Sequence, residues 1–381
     1  MKLRTVLLTV VAGVVTALPA VSSQASASTS PVPAPIGTPV NHTGKVVCLP
    51  PADWNKPGYD YINTYKSACA STKNWDRTFQ DVTIGTEVDG RNDFRLTAST
   101  ALAGATASVK VNDKEFIASG GHGQAQQSLF HAWDGTKGPS ECYNPTQSGS
   151  ARDDDGQRAP FHGPSTSALY EQKRDSLTTL TTRSRLAMYV PRSSNKPGYG
   201  GCWPTSLQRN ASPFTQGLSP YWLRTKVVIG TGSNTKGLQN VIRNDVTLTS
   251  EDRRHSGFDG IFVSYLQRDF TDVYQYDPAT KQLRKVAGTI ASATPLVRCT
   301  KDRAYCLALR FAKGDVPSGS YYYAMTNEPD SYNGYSGEYT VQVTSPSKNV
   351  GVGGTTTIRY RTYVAVGNLE RVRATLAKLG S

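Results

Sequence analysis

The 381-residue sequence contains no Gly-x-Ser-x-Gly elbow, no phosphate-binding P-loop, no dinucleotide fingerprint and no His-Glu-x-x-His motif. Serine-hydrolase, nucleotide-dependent and zinc-protease chemistry therefore have no residues to rest on. Cys-x-x-Cys pairs and Cys/His clusters of zinc-like spacing are also missing, so the six cysteines do not read as metal ligands. The acidic run Asp153-Asp154-Asp155, inside the insertion from Arg152 to Pro164, lacks the regular spacing of a calcium loop. No metal or cofactor is expected. Lys and Arg outnumber Asp and Glu, 42 to 29, yet no block of five basic residues occurs. Singly scattered charges argue against nucleic acid as a partner. Internal repeats with a period of about 20 to 50 residues are absent, which disfavours a propeller. Past the N-terminus no apolar run reaches the roughly 20 residues of a membrane-spanning helix, so no membrane association is expected.

What is present begins at the N-terminus. Lys2 and Arg4 precede an apolar run from Val6 to Leu18, and Ala25-Ser26-Ala27 follows as a small-x-small cleavage site. That order is the pattern of a secretory signal, and it predicts removal of residues 1–27 and an extracellular, soluble product. The formal charge of +13 falls by two when Lys2 and Arg4 leave. A basic exported chain leans towards anionic polymers such as acidic polysaccharide. Cys48, Cys69, Cys142, Cys202, Cys299 and Cys306 all lie in the remaining chain. An even number in an exported protein points to disulfides, and six cysteines permit 15 pairings. Proximity favours Cys48 with Cys69 and Cys299 with Cys306, which leaves Cys142 with Cys202.

Residues 28–40, rich in Ser and Pro, read as a flexible leader. Residues 41–78 read as a small N-terminal cap, with a helical turn or two between Asp53 and Ala70 pinned by Cys48 and Cys69. From residue 79 the pattern changes to short runs rich in Thr, Val, Tyr and Ile, with Gly, Pro, Asn and Asp at the joints. Strands are expected over 81–88, 94–100, 107–111, 116–119, 177–190, 223–230, 241–250 and 260–266. Further strands are expected over 273–276, 283–286, 305–311, 321–324, 339–344 and 355–366. Asn112-Asp113-Lys114 reads as a hairpin turn. Asn368 is placed to cap a final helix whose Leu369, Val372, Leu376 and Leu379 share one face. The fold class is all-β: one large two-sheet sandwich over 79–381 with a short C-terminal helix, a split near residue 250 being the alternative.

Three stretches depart from strand patterning and gather polar groups. Gly120-Gly121-His122-Gly123-Gln124 sets a histidine on backbone free to adopt unusual dihedrals, with Gln126 and Gln127 following. Glu141-Cys142-Tyr143-Asn144-Pro145-Thr146 places a carboxylate, a phenol and an amide in what reads as a disulfide-anchored loop. Arg253-Arg254-His255 follows a strand and reads first as a solvated basic loop.

Asn112-Asp113-Lys114-Glu115-Phe116, then Gly121-His122-Gly123-Gln124 with Gln126-Gln127, then Glu141 to Gly149, carry a resemblance to exported bacterial proteins with a galactose-mutarotase-like β-supersandwich. The resemblance spans about residues 80–378 and ends on Tyr363 to Leu369. It implies a carbohydrate partner and a groove on one sheet face, rimmed by His122, Glu141, Tyr143 and Asn144. Gln126, Arg185, His255 and Tyr265 are implied as its lining. A mutarotase-type acid–base pair would also use a late glutamate, for which Glu328 and Glu338 stand by position. The resulting expectation is a monomeric enzyme that cleaves glycosidic bonds. His122, Glu141, Tyr143 and His255 are its candidate catalytic groups; Asn144, Gln126, Arg185 and Tyr265 are its candidate substrate contacts. A hydrolase needs paired carboxylates, of which Glu141 is one. A lyase needs a base such as Tyr143, Tyr265 or a histidine, with Arg185 neutralising a uronate. A non-catalytic glycan-binding module and an exported structural or inhibitory scaffold are the competing readings.

Overall fold

In β9 (Thr179–Tyr189), Leu180, Thr182, Ser184 and Leu186 are buried while Arg183 is exposed and Arg185 half-buried. That period of two is what a strand with one face on a core requires. The pattern recurs in β11 (Val241–Ser250), where Ile242, Val246 and Leu248 point inward and Arg243 and Asp245 outward. These residues belong to a computed structural model. It describes residues 41–43, 81–88, 91–100, 102–119, 125–133, 141–146, 167–189, 218–230, 238–250, 257–312, 321–326, 339–344, 348–349 and 356–380.

The chain begins with β1 (Asn41–Thr43), β2 (Val82–Val88), β3 (Arg91–Ala98), β4 (Thr106–Val111), β5 (Lys114–Glu115), β6 (Gln126–Trp133), β7 (Glu141–Asn144) and β8 (Ala168–Ser176). After β9 come β10 (Leu218–Ile229), β11, β12 (Gly257–Leu266), β13 (Asp272–Asp277), β14 (Gln282–Val286), β15 (Ile290–Ser292) and β16 (Leu296–Cys299). It closes with β17 (Cys306–Phe311), β18 (Tyr321–Thr326), β19 (Tyr339–Thr344), β20 (Lys348–Asn349), β21 (Thr356–Gly367) and one helix, α1 (Leu369–Gly380).

All pairings are antiparallel, and they build a two-sheet sandwich. One sheet runs β1-β8-β9-β10-β11-β21-β17-β16-β13-β14. The other runs β2-β3-β4-β6-β12-β19-β18-β15. β7 joins them: it pairs with β6 on one side and with the last residues of β9 on the other. Side-chain alternation is continuous across that junction, so the outward faces of the two sheets merge through β7.

Between the sheets lies an apolar core containing Phe94, Phe116, Phe130, Phe270 and Phe311, all essentially inaccessible. Each such side chain contributes on the order of 1.5–3 kcal/mol on burial. The hairpin expected at Asn112-Asp113 is present. Both residues take positive φ, 50° and 60°, which is the backbone of a type I′ turn joining β4 to β5.

The expected helix is also present. Asn368 Oδ1 accepts the Arg371 amide at 2.9 Å, capping the first turn. Val372 and Leu376 pack on Tyr274, Tyr276, Cys299, Cys306 and Ala365, so α1 covers the outward face of β13, β16, β17 and β21. Arg310 on β17 donates to the Leu376 carbonyl at 2.8 Å, tying the last turn of the helix to the sheet. Under that helix the expected Cys299–Cys306 disulfide links directly opposed residues of β16 and β17. Cys48, Cys69, Cys202 and the Cys142 side chain lie outside the described residues, as does the 53–70 segment.

Candidate functional site

β7 was expected as part of a loop and is instead the strand that bridges the sheets. Two of its side chains take opposite faces. Tyr143 points inward, 1% exposed, with its ring stacked on Phe130 at 5.0 Å and tilted against Tyr221 at 4.5 Å. It is core framework, which corrects the expectation of a phenol at the groove rim. Asn144 points outward, in register with Ala187 of β9. Its Oδ1 accepts the Thr146 amide at 2.9 Å, forming an Asx turn that fixes Pro145-Thr146. The Thr146 hydroxyl donates to Gln127 Oε1 at 2.8 Å, and Ser167 Oγ donates to the Asn144 carbonyl at 2.9 Å. Gln127, Asn144, Thr146 and Ser167 are thus a buried, mutually bonded polar cluster at the sheet junction.

Gln126 departs from expectation in the same way as Tyr143. It is paired with Ser264 across β6 and β12, faces the interior, and donates to Ser264 Oγ at 3.0 Å. The neighbouring residue, Gln127, is the one on the outward face. Inside the sandwich, Gln126, Thr182, Ser184, Thr225 and Asn244 line a cavity of about 20 Å³. Such a space suits one water molecule and excludes a sugar ring, so this cavity is not a saccharide site.

Tyr265 sits half-buried on the outward side of β12. Its carbonyl accepts the Ala118 amide at 3.0 Å, and its own amide donates to the Ala125 carbonyl at 3.1 Å. Ala118 and Ala125, which flank the segment carrying His122, are therefore both bonded to the backbone of Tyr265. His122, His255, Glu328, Glu338, the acidic insertion and the Glu141 side chain lie outside the described residues.

Arg185 occupies the outward face of β9, two residues before Ala187 and hence about 8 Å from Asn144 by strand geometry. Its cross-strand partner is Trp222 of β10. Arg183 lies over the Trp222 ring at 4.3 Å and Arg185 at 5.7 Å, while Tyr170 meets the ring edge-on at 4.5 Å. Trp222, Tyr170 and Arg183 carried no motif, and only the strand register reveals them. The structure thus gathers Asn144, Arg185 and the ends of the His122 segment on the merged outward surface. It removes Tyr143 and Gln126 from that surface.

Further along the face, Asp245 sits between Arg243 and Arg361 and bonds to both. Burial pushes its carboxyl up, but hydrogen bonds from Arg243 and then Arg361 outweigh that and hold it below the usual Asp value. A depressed folded-state pKa adds stability that is complete above the unfolded value and lost as pH falls through the folded one. Stability should therefore drop below about pH 4. Asp245→Asn should remove about 1 kcal/mol of that acid-sensitive contribution, the pair being partly exposed. Urea midpoints collected between pH 5 and pH 2.5 test this: parallel curves for parent and variant would refute it.

No known protein family profile matches the chain, and no curated protein does. Solved structures are similar in fold only loosely. A putative aldose 1-epimerase of Escherichia coli K12 is 8% identical over 76% of this chain and 100% of its own, with a TM-score of 0.41. For a galactose mutarotase-like protein of Lactobacillus casei ATCC 334 the figures are 11%, 75%, 99% and 0.39. Heparan sulfate lyase HepC of Pedobacter heparinus is 8% identical over 80% of this chain and 39% of its own, with a TM-score of 0.35.

Proposed function

We propose that the chain is a secreted, carbohydrate-active enzyme that cleaves glycosidic bonds of an extracellular polysaccharide or oligosaccharide on the outward surface where β7 joins the sheets. The observation that carries this reading is the bonding of Ala118 and Ala125, on either side of the His122 segment, to Tyr265 beside the Gln127–Thr146–Asn144 cluster. Buried amides at Gln127 and Asn144, Arg185 on the outward face of β9, and the bonded residues that flank the His122 segment support this reading. Preorganisation of that kind is what general acid–base chemistry on a sugar requires. His122 carries proton transfer and Arg185 orients the saccharide, while Asn144 holds the Pro145-Thr146 turn in place.

The test incubates the full-length chain with neutral and uronate-containing glycans. Reducing ends report any cleavage, and absorbance of an unsaturated uronate separates elimination from hydrolysis. His122→Ala should slow product formation while leaving the unfolding midpoint in place. Glycan retention that survives His122→Ala, with no product from the parent, would overturn the enzyme reading in favour of a binding module.

A further inference from the structure

Strand register aligns charges that are far apart in sequence. Arg183 on β9 stands directly opposite Arg224 on β10; Thr247 of β11 follows, and Arg359 of β21 completes the row. The adjacent row holds Lys173, Thr181, Lys226, Asp245 and Arg361. On the other side of the arginine row lie Arg185 and Trp222. Arg183, Arg224, Lys226 and Arg359 are all exposed.

Acids on this face are mostly engaged. Asp245 is held by Arg243 and Arg361, and Asp175 by the Thr181 hydroxyl and Lys173. Glu171, opposite Arg183, is the remaining carboxylate in the arginine row. Arg183 therefore meets an opposite charge, Glu171, on one side and a like charge, Arg224, on the other, the second being a destabilising arrangement across a sheet.

The aromatic support supplies the second observation. Trp222 holds the Arg183 and Arg185 guanidinium groups against its ring, and Tyr170 packs on the ring's edge. A guanidinium stacked on an aromatic face is fixed in its plane and keeps its N–H fork for a carboxylate or sulfate. Trp222 Nε1 is itself out of solvent and has no acceptor among the described residues. One ring holding two guanidinium groups leaves little free face on which bases could stack one after another, and serial stacking is how single-stranded nucleic acid is gripped.

We infer that this face is an anion-recognising platform for a carboxylated or sulfated glycan, with Arg183, Arg224 and Arg359 binding its acid groups and Trp222 fixing the first. The inference rests on the carbohydrate reading above and names its substrate class. It extends the site from Arg185 across β10 to β21, so a polymer of several residues lies across the sheet.

The test measures retention of the full-length protein on immobilised polygalacturonate, heparin and dextran at increasing sodium chloride. Tight, salt-sensitive retention on the two anionic polymers with none on dextran is expected. Arg183→Gln with Arg224→Gln should weaken anionic binding at least about tenfold and flatten its salt dependence. Trp222→Leu should weaken binding with the charges all present, because the Arg183 fork loses its support. Unchanged circular dichroism and urea midpoints show that the variants fold. Salt-independent binding, equal retention on dextran, or full displacement by an oligonucleotide of matched charge would each overturn the platform. Cleavage of a neutral glycan without charge-dependent binding would sink this inference alone. Anionic binding without any cleavage would sink the enzyme reading and leave the platform standing.

Discussion

Tyr143→Ala is expected to lower the free energy of unfolding by about 4 kcal/mol, and Tyr143→Phe by about 1 kcal/mol. The ring lies between Phe130 and Tyr221, which themselves meet edge-to-face at 4.7 Å, so three aromatics from β6, β7 and β10 close the core at the sheet junction. Truncation leaves a ring-sized void bounded by rigid strands, and aromatic pairing adds to the loss. The phenol oxygen is a smaller matter, because phenylalanine fills the same volume. Urea unfolding of the two variants separates framework from chemistry. If Tyr143→Phe unfolds like the parent yet loses product formation, the hydroxyl is a catalytic group and the framework assignment fails.

Tyr143 also shows why part of the site was hidden in the sequence. Glu141-Cys142-Tyr143-Asn144 is followed by Pro145, and four polar or aromatic residues before a proline look like a loop. β7 tolerates them because it is short and paired on both sides, with its two faces serving different purposes. Strands whose apolar residues alternate were legible, as over 241–250, 273–276 and 321–324. The capped helix was legible too, since Asn368 and the Leu369–Leu379 face announce it. β6 and β8 were not. β6 opens on Gln126-Gln127, one amide turned inward and the other bonded to Thr146. β8 sends Gln172 and Arg174 into the buried side, so its alternation is written in polar residues.

The charge pattern was misleading for a related reason. Arg183, Arg224 and Arg359 stand alone in the sequence, where each reads as an ordinary solvated side chain. Register across four strands converts them into one row, and no sequence window can show a row that only pairing creates.

Arg298→Met is expected to cost about 3–5 kcal/mol, the range for removing one partner of a buried charged hydrogen-bond set. Arg298 is completely inaccessible, which is rare for an arginine. From β16 its Nη1 donates to the carbonyls of Phe270 and Thr271 at 3.3 and 3.4 Å, and its Nη2 donates to the Met325 carbonyl at 2.7 Å. Met325 belongs to β18 of the opposite sheet, so one guanidinium ties the two layers through backbone acceptors. Methionine keeps most of the volume and returns none of those bonds. Arg298→Lys should do no better: a single ammonium cannot reach carbonyls on both sides, and burial penalises its charge. Both variants should therefore unfold at clearly lower urea than the parent. A methionine variant with the parent's midpoint would show that the sheets hold together by apolar packing alone, with the arginine incidental to them.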